Sequence, residues 1–522
     1  MSRSPILDDG LVWTRKPFGG IAADLRRRLP FYASDFRDGL HPKVAASALF
    51  LYFACLANAI AFGGLTALVT GGEIGTVEML VGTAAGGILF ALCSGQPLTI
   101  LGGTGPIVIF TGLLYTACQQ LGLPFLPVYA WVGIWSAVIL FVLAATDASA
   151  LMRFFTRFTD EIFAALIAVI FIVEAASSVM ESFRGTGPLA VDARALMTLI
   201  LALGTYFVSR TLKSFATTPY LRSRIREMIS DFGPAIAITV MTAFAVAMPE
   251  IELEGTGIPA RFATTTGRPW LVDLWVLPPW AIFASAGPAF LATILLFLDQ
   301  NITTRLVNSP MHRLRKGPGF HLDLAVVALI TGACSVFGLP WIVAATIHAL
   351  NHVKSLATTE TVGEGSSARE RIVSVRENRI SPLAIHLLIA SSILMLPLIK
   401  LIPMAVLFGL FLYMGFATLG GNDLFERLRL WVTDPRLYPE THYVATVPAR
   451  VIHRFTLIQL AALVALWLLK SSPVGILFPI LIAGLVPLRL LLDRYFEPQH
   501  LAALDTDEDA AEIAERGTDV HA

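Results

Sequence analysis

Three short stretches of this chain combine residue types suited to holding ions. The first is Gly102-Gly103-Thr104-Gly105-Pro106, which interrupts an apolar run from Leu98 to Leu114. Gly102, Gly103 and Gly105 let backbone approach a ligand closely, Thr104 adds a hydroxyl, and Pro106 fits the first turn of a new helix. The second is Asp299-Gln300-Asn301-Ile302-Thr303, directly after the apolar Phe297-Leu298. An ionised carboxylate at membrane depth costs about 3 kcal/mol or more unless it is partnered, so Asp299 is a functional candidate. Thr303, four residues on, shares its helical face. The third is Val343-Ala344-Ala345-Thr346, with His348 just beyond, in a short segment from Trp341 to Leu350.

Two kinds of chemistry follow. A half-helix that starts inside a membrane turns unpaired N–H groups and the positive end of its dipole toward one spot, which binds an anion without a cationic side chain. Gly103, Thr104 and Gly105 on one side, and Ala344, Ala345, Thr346 and His348 on the other, are the candidate anion-binding residues. The Asp299 carboxylate, the Thr303 hydroxyl and an unwound carbonyl from Val343 or Ala344 make a hard-oxygen cation site. Plainer readings stand beside these. The glycines also suit a tight helix crossing. Asp299 also suits an interfacial cap paired with Arg305, and His348 suits either a pH-sensitive wall or a neutral packing histidine. Asn301-Ile302-Thr303 matches a glycosylation sequon, which membrane depth rules out as an acceptor.

The elements that would position these residues are membrane helices. Of 522 residues, 55% are hydrophobic and 15% charged, against about a quarter charged in soluble domains. The net charge is zero, so no basic field argues for nucleic acid. Cys55, Cys93, Cys118 and Cys334 lie in or beside apolar runs without paired spacing, which points to neither a disulfide framework nor a metal cluster. The first apolar run, from Val44, is too long for a signal peptide. Apolar runs long enough to cross a bilayer recur down the chain, and with the two interrupted segments they number about fourteen. The interrupted segments fall third and tenth, the same place in each half if the halves hold seven helices apiece. Broken segments at matching positions point to a transporter site built on an inverted repeat.

With both termini taken as cytoplasmic, loops on that side hold Arg222, Arg224 and Arg226, then Arg313, Arg315 and Lys316, then Arg427, Arg429 and Arg436. The opposite loops hold only Arg184, Arg194, Arg261, Arg268, Lys400 and Lys470. This is the positive-inside pattern. The expected divisions are an N-terminal cytoplasmic segment, 1–34, with the basic amphipathic stretch Asp24 to Leu29; a first repeat, 35–250; an outer loop, 251–280, with Trp270, Trp275 and Trp280; a second repeat, 281–495; and an acidic cytoplasmic tail, 496–522. The amphipathic stretch suits an anionic membrane surface or a solvated lead-in. Glu78 and Glu174 are further membrane carboxylates without an evident role.

Longer motifs carry a resemblance. They are Ser34-Asp35-Phe36-Arg37-Asp38, Phe62-Gly63-Gly64-Leu65, Gln96-Pro97-Leu98-Thr99-Ile100 with Thr104-Gly105-Pro106, Thr156 to Phe163, Gly319-Phe320-His321-Leu322-Asp323-Leu324, and Val406-Leu407-Phe408-Gly409 with Tyr413-Met414-Gly415. Across about Pro17 to Leu504 the sequence resembles the bicarbonate transporter family of anion exchangers, sodium–bicarbonate cotransporters and borate transporters. The resemblance implies an all-α polytopic fold, a seven-plus-seven inverted repeat with core and gate domains, a homodimer, and substrate held between the third and tenth half-helices. It is strongest to the sodium-coupled branch, in which residues matching Asp299 and Thr303 bind sodium. His348 departs from that pattern, since exchangers carry Arg there and many coupled members an apolar residue. Thr111 stands where many relatives have Glu. The short lead-in and loops suggest a bacterial member in the cell inner membrane.

The expectation is therefore a secondary transporter of bicarbonate or carbonate, coupled to sodium as its only companion ion and without a cofactor. Chloride/bicarbonate exchange using His348, or borate transport, is the alternative. A membrane scaffold that recruits a partner through its acidic tail is the reading from another class. An enzyme is not indicated, because no nucleophile–base set or phosphate loop is present.

Overall fold

The computed structural model describes residues 10–184, 193–362 and 369–505, except Ala260 and Glu440. The acidic tail beyond Asp505 lies outside the described residues. The chain is built of helices: α1 (Gly19–Arg28), α2 (Pro42–Val69), α3 (Thr76–Cys93), α4 (Gly105–Leu121), α5 (Phe125–Ala145), α6 (Arg157–Glu181), α7 (Ala193–Ser214), α8 (Gly233–Val246), α9 (Ala286–Val307), α10 (Phe320–Val336), α11 (Thr346–Leu356), α12 (Ile380–Ser391), α13 (Met404–Leu419), α14 (Asp423–Arg429), α15 (Ala449–Lys470) and α16 (Leu485–Leu492). Among the described residues nine helical stretches are long and apolar enough to span a membrane, or eleven if two bent pairs each count as one span. Helices α4, α10 and α11, at 17, 17 and 11 residues, fall short of a full crossing.

Two small sheets depart from an all-helical chain. β1 (Leu101–Gly102) pairs antiparallel with β2 (Val343–Ala344), and β3 (Ala357–Val362) pairs with β4 (Arg369–Val375). Apolarity marked both stretches of the first pair as broken membrane segments. It carried no sign of the second pair, a polar hairpin following α11.

By contact density the chain falls into two compact units. One holds the residues up to Met152 together with Glu174–Tyr413; the other holds Arg153–Val173 and the residues from Met414 onward. Each unit draws on both halves of the sequence, so neither coincides with a sequential repeat.

In the first unit, helix α5 brings α10 close. A methyl group added at Gly133 would collide with the side chains of Ser335 and Trp341, so that position admits only glycine without rearrangement. Trp341 is fully buried there, stacked on Tyr129 with ring centroids 4.2 Å apart and planes 6° from parallel. Tyr129 Oη donates to Leu339 O at 3.1 Å and accepts from Trp341 N at 3.1 Å, while Trp341 Nε1 donates to Ser335 Oγ at 2.9 Å.

The basic stretch of α1 turns its charges inward. Asp24 is buried and accepts from the N–H groups of His321 (2.8 Å) and Leu322 (3.1 Å), which caps the start of α10. Arg27 donates to Pro318 O and pairs with Asp24, and buried Arg28 pairs with Asp35 (3.1 Å) and Glu377 (3.3 Å). Lys316 and Arg379 also reach Asp35, and Arg379 donates to the carbonyls of Ala91 and Ser94 at the end of α3. Asp24 and Arg28 thus tie the segment into the fold, while Leu25, Arg26 and Leu29 stay exposed. Burial pushes the Asp24 carboxyl up to about 6, against the opposing pull of the Leu322 N–H, Arg27 and the His321 N–H.

The second unit has its own buried ion pair. Arg427 of α14, with no exposed surface, pairs with Glu161 of α6, and Gln459 of α15 bridges both at 2.9 Å. Arg157 adds a pair with Asp423 at 2.5 Å. Removing one member of such a pair strands a buried charge at a cost of about 3–5 kcal/mol, which explains a structural role for the Thr156-to-Phe163 motif.

Candidate functional site

The two interrupted segments meet. Leu101 faces Ala344 and Gly102 faces Val343 in the β1–β2 register, and facing Cα atoms in such pairs lie about 4.5–5.5 Å apart. Each strand leads within three residues into a half-helix, α4 or α11, so the unit strand–break–helix occurs twice and pairs with itself in opposite directions. This is what an inverted repeat requires of its broken elements.

Unwound backbone at this depth survives only if its polar groups find partners. In the first segment Leu98 O receives His352 Nδ1 at 2.8 Å, Ile100 O receives Ala345 N at 2.9 Å, and Gly103 O receives Asn58 Nδ2 at 3.2 Å. His386 Nε2 lies 3.4 Å from Leu101 O. In the second segment Ala344 N donates to Gln300 Oε1 at 3.0 Å, and Ala344 O lies 3.3 Å from Thr303 Oγ1. Gln300 is held in turn by Thr304, whose Oγ1 is 3.2 Å from Gln300 Nε2.

The candidate residues divide as follows. Asp299 sits inside α9, two turns from its end and 6% exposed, so it neither caps that helix nor pairs with Arg305. Its Oδ2 accepts from Thr104 Oγ1 at 2.6 Å, and among the described residues no cationic side chain forms an ion pair with it. Thr303 is fully buried, with its Oγ1 2.6 Å from Thr346 Oγ1. The carbonyl that Thr303 touches is that of Ala344, whereas Val343 lies in β2 opposite Gly102. Thr104 is the N-cap of α4 with extended backbone (φ −128°, ψ 150°), and Gly105 and Pro106 open the helix. Ala345 is the N-cap of α11, and Thr346 is its first residue.

Neither N-cap, Thr104 nor Ala345, caps its half-helix with a side-chain bond. The N–H groups of Ala344 and Ala345 are a correction: both are already bonded, to Gln300 and Ile100. The donors at that end therefore start at Thr346. Thr104, Thr346 and His348 are half-buried and Ile347 is exposed, which opens this surface while Gly103 and Gly105 stay buried. His348 Nε2 lies 3.3 Å from Ala54 O, a backbone contact on α2. The arrangement joins a desolvated carboxylate, hydroxyls and two helix starts, which is a chemistry for a small anion beside a hard cation.

A model described as the HCO3- transporter integral membrane domain matches residues 16–188 and 183–509. The chain belongs to this bicarbonate transporter family. It is 37% identical over 534 residues to Anion exchange protein 3 of Danio rerio, covering 96% of this chain and 46% of that protein. It is 37% identical over 534 residues to Band 3 anion transport protein of Homo sapiens (97% and 58%) and over 563 residues to Electroneutral sodium bicarbonate exchanger 1 of Mus musculus (94% and 51%). The chain thus spans about half the length of the curated relatives it matches. Among solved structures, the transmembrane domain of a cyanobacterium bicarbonate transporter, BicA, aligns with TM-score 0.57 at 14% identity, covering 82% of this chain and 98% of that one. SLC26A9 aligns with TM-score 0.57 at 15% identity, covering 90% and 68%. At those identities the likeness shows the fold: a polytopic helical transporter fold.

Within this bicarbonate transporter family member, sequence reading missed Gln300, Asn58, His352 and His386 as holders of the breaks. Gln300 was quoted only as a neighbour of Asp299; its one signal was a second amide beside a membrane carboxylate. Glu78, left without a role, accepts from Gly75 N at 3.0 Å and from Thr265 N at 2.7 Å, so it caps α3 and ties down the segment around Thr265.

Proposed function

We propose that the chain is a secondary transporter that carries bicarbonate or carbonate together with sodium by alternating access. The observation that carries this reading is the bond between Asp299 and Thr104, which joins a carboxylate with no cationic partner among the described residues to the start of a half-helix. Sodium at Asp299 and Thr303, with a backbone carbonyl of the β2 strand, would offset the charge of an anion held at the first turns of α4 and α11. Without sodium, Asp299 repels that anion, which makes coupling obligatory. Residues 35–250 and 281–495 act as the two inverted repeats, and the protein works as a homodimer in a cell inner membrane with both ends cytoplasmic. That orientation is supported by the distribution of Lys and Arg.

Exchange of chloride for bicarbonate is the second reading. It would use half-buried His348, at the first turn of α11, as a further part of the anion site. Counterflow in proteoliposomes, with sodium, chloride and bicarbonate varied independently, separates the two. Sodium-dependent uptake that Asp299→Asn abolishes supports the first reading. Chloride-driven flux in sodium-free buffer, unaffected by Asp299→Asn, overturns it.

A further inference from the structure

One helix face holds the starts of both half-helices. Asp299 and Thr303 stand one turn apart on α9. Asp299 Oδ2 accepts from the hydroxyl of Thr104, the N-cap of α4, at 2.6 Å. Thr303 Oγ1 lies 2.6 Å from the hydroxyl of Thr346, the first residue of α11. Each threonine lies two residues past its strand, β1 or β2, and both are half-buried while Asp299 and Thr303 are buried.

A threonine hydroxyl has one hydrogen to donate and lone pairs that accept. While Thr104 gives its hydrogen to Asp299, only its lone pairs face the start of α4, and these repel an anion. A cation bound by the Asp299 carboxylate takes up the oxygen that Thr104 was bonded to. The Thr104 hydrogen is then free to turn toward an anion at the α4 N-terminus. A cation bound by the Thr303 lone pairs likewise changes which hydrogen Thr303 and Thr346 share.

We propose that Thr104 and Thr346 are exchangeable hydroxyls that transmit cation occupancy to anion affinity: bonded to α9 when the cation is absent, donating to the anion when it is present. This rests on the sodium-coupled reading above and specifies how the two ions are linked. Linkage makes the effect reciprocal, so sodium raises bicarbonate affinity by the same factor as bicarbonate raises sodium affinity.

The test measures bicarbonate half-saturation in proteoliposomes at low and saturating sodium, for wild type, Thr104→Val, Thr104→Ser and Thr346→Val. In wild type, sodium lowers the half-saturation concentration by a factor of roughly 5–150, the usual range for coupled sites. Thr104→Val reduces that factor to below about threefold while sodium affinity measured without bicarbonate stays the same or tightens, and Thr346→Val reduces it by less; both bounds are small parts of the wild-type coupling. Thr104→Ser, which keeps the hydroxyl, retains the wild-type factor. A Thr104→Val protein with the wild-type factor overturns the proposal while leaving sodium coupling intact. A wild type without any sodium factor overturns the sodium-coupled reading itself.

If Thr104→Val does not transport, thermal shifts of the purified protein with sodium alone and with sodium plus bicarbonate give the same decision. The proposal requires the sodium shift to remain and the added bicarbonate shift to disappear. Both shifts at wild-type size overturn it.

Discussion

The two broken segments reach the same backbone geometry by different means. The first is broken by its own residues. Gly102 and Gly103 leave room for Asn58, Met79 and Phe62 to pack against the backbone, and Pro106 starts a fresh helix. The second has no glycine between Pro340 and Thr346. Neighbours brace both segments, Asn58, His352 and His386 at the first and Gln300 and Thr303 at the second, where the Tyr129–Trp341 stack fixes the entry; without glycine the second depends on them to stay unwound. A break can thus be written in the segment or in its surroundings, and the second kind is more sensitive to changes elsewhere. Substitutions that remove the surroundings should therefore damage β2 and α11 more than equivalent changes near β1 and α4.

The largest effect is expected at Trp341. Truncation to alanine removes a fully buried indole and its stack, at a cost of about 3–5 kcal/mol. Thermal unfolding of purified Trp341→Ala should fall by several degrees or the protein should fail to accumulate. A wild-type melting temperature would show that the second segment does not depend on this anchor.

The next effect probes how far that support extends, because Asp24 caps α10, the helix leading into the second break. Its carboxyl is raised from the ordinary 3.8 to about 6 by burial. A carboxylate whose folded value is raised adds stability below its unfolded value and loses it as pH rises toward the folded one. Wild type should therefore gain stability on acidification from pH 7 to pH 4, by at most about 3 kcal/mol for a shift of this size. Asp24→Asn lacks the gain, and other titrating groups cancel between the two proteins. Parallel melting curves across that range would remove the buried carboxyl from the account.

Gln300→Leu attacks the second break directly. It keeps the bulk but leaves the Ala344 N–H without a partner, at a cost of about 1–3 kcal/mol. Bicarbonate half-saturation should rise roughly tenfold per 1.4 kcal/mol that reaches the site. Thr304→Val, which frees the other end of the same amide, should act in the same direction and more weakly. Unchanged half-saturation in both would mean that β2 stands without this brace.

This contrast also explains what the sequence made legible. The first break is spelled in Gly and Pro, so it was readable at its place, and the second was read from its small residues and its matching position. Asp299 stood out because an acid in an apolar run is rare. Gln300, Asn58, His352 and His386 stayed hidden because their task is defined by carbonyls and N–H groups that arrive from elsewhere in the chain. No local pattern marks such partners. The inward turn of Arg27 and Arg28 was hidden for the same reason, since their acceptors, Pro318 and Glu377, lie about 290–350 residues away.

The smallest effect is expected at Gly103, and it sharpens the comparison from the other side. A Cβ there would lie 3.1 Å from Met79 Sδ and 3.1 Å from Phe62 Cβ. Gly103 is not in the left-handed region, so alanine meets no backbone strain. Met79 is flexible and yields cheaply, whereas Phe62 Cβ is fixed to α2, so the crowding should cost only about 1 kcal/mol. If the first break is held by its own chain, Gly103→Ala should melt within a few degrees of wild type. Bicarbonate half-saturation should rise by about twofold to fivefold, the part of that crowding passed to Thr104. A loss as large as that of Trp341→Ala would mean that β1 is also held by close-packed neighbours, and the distinction between the two segments would disappear.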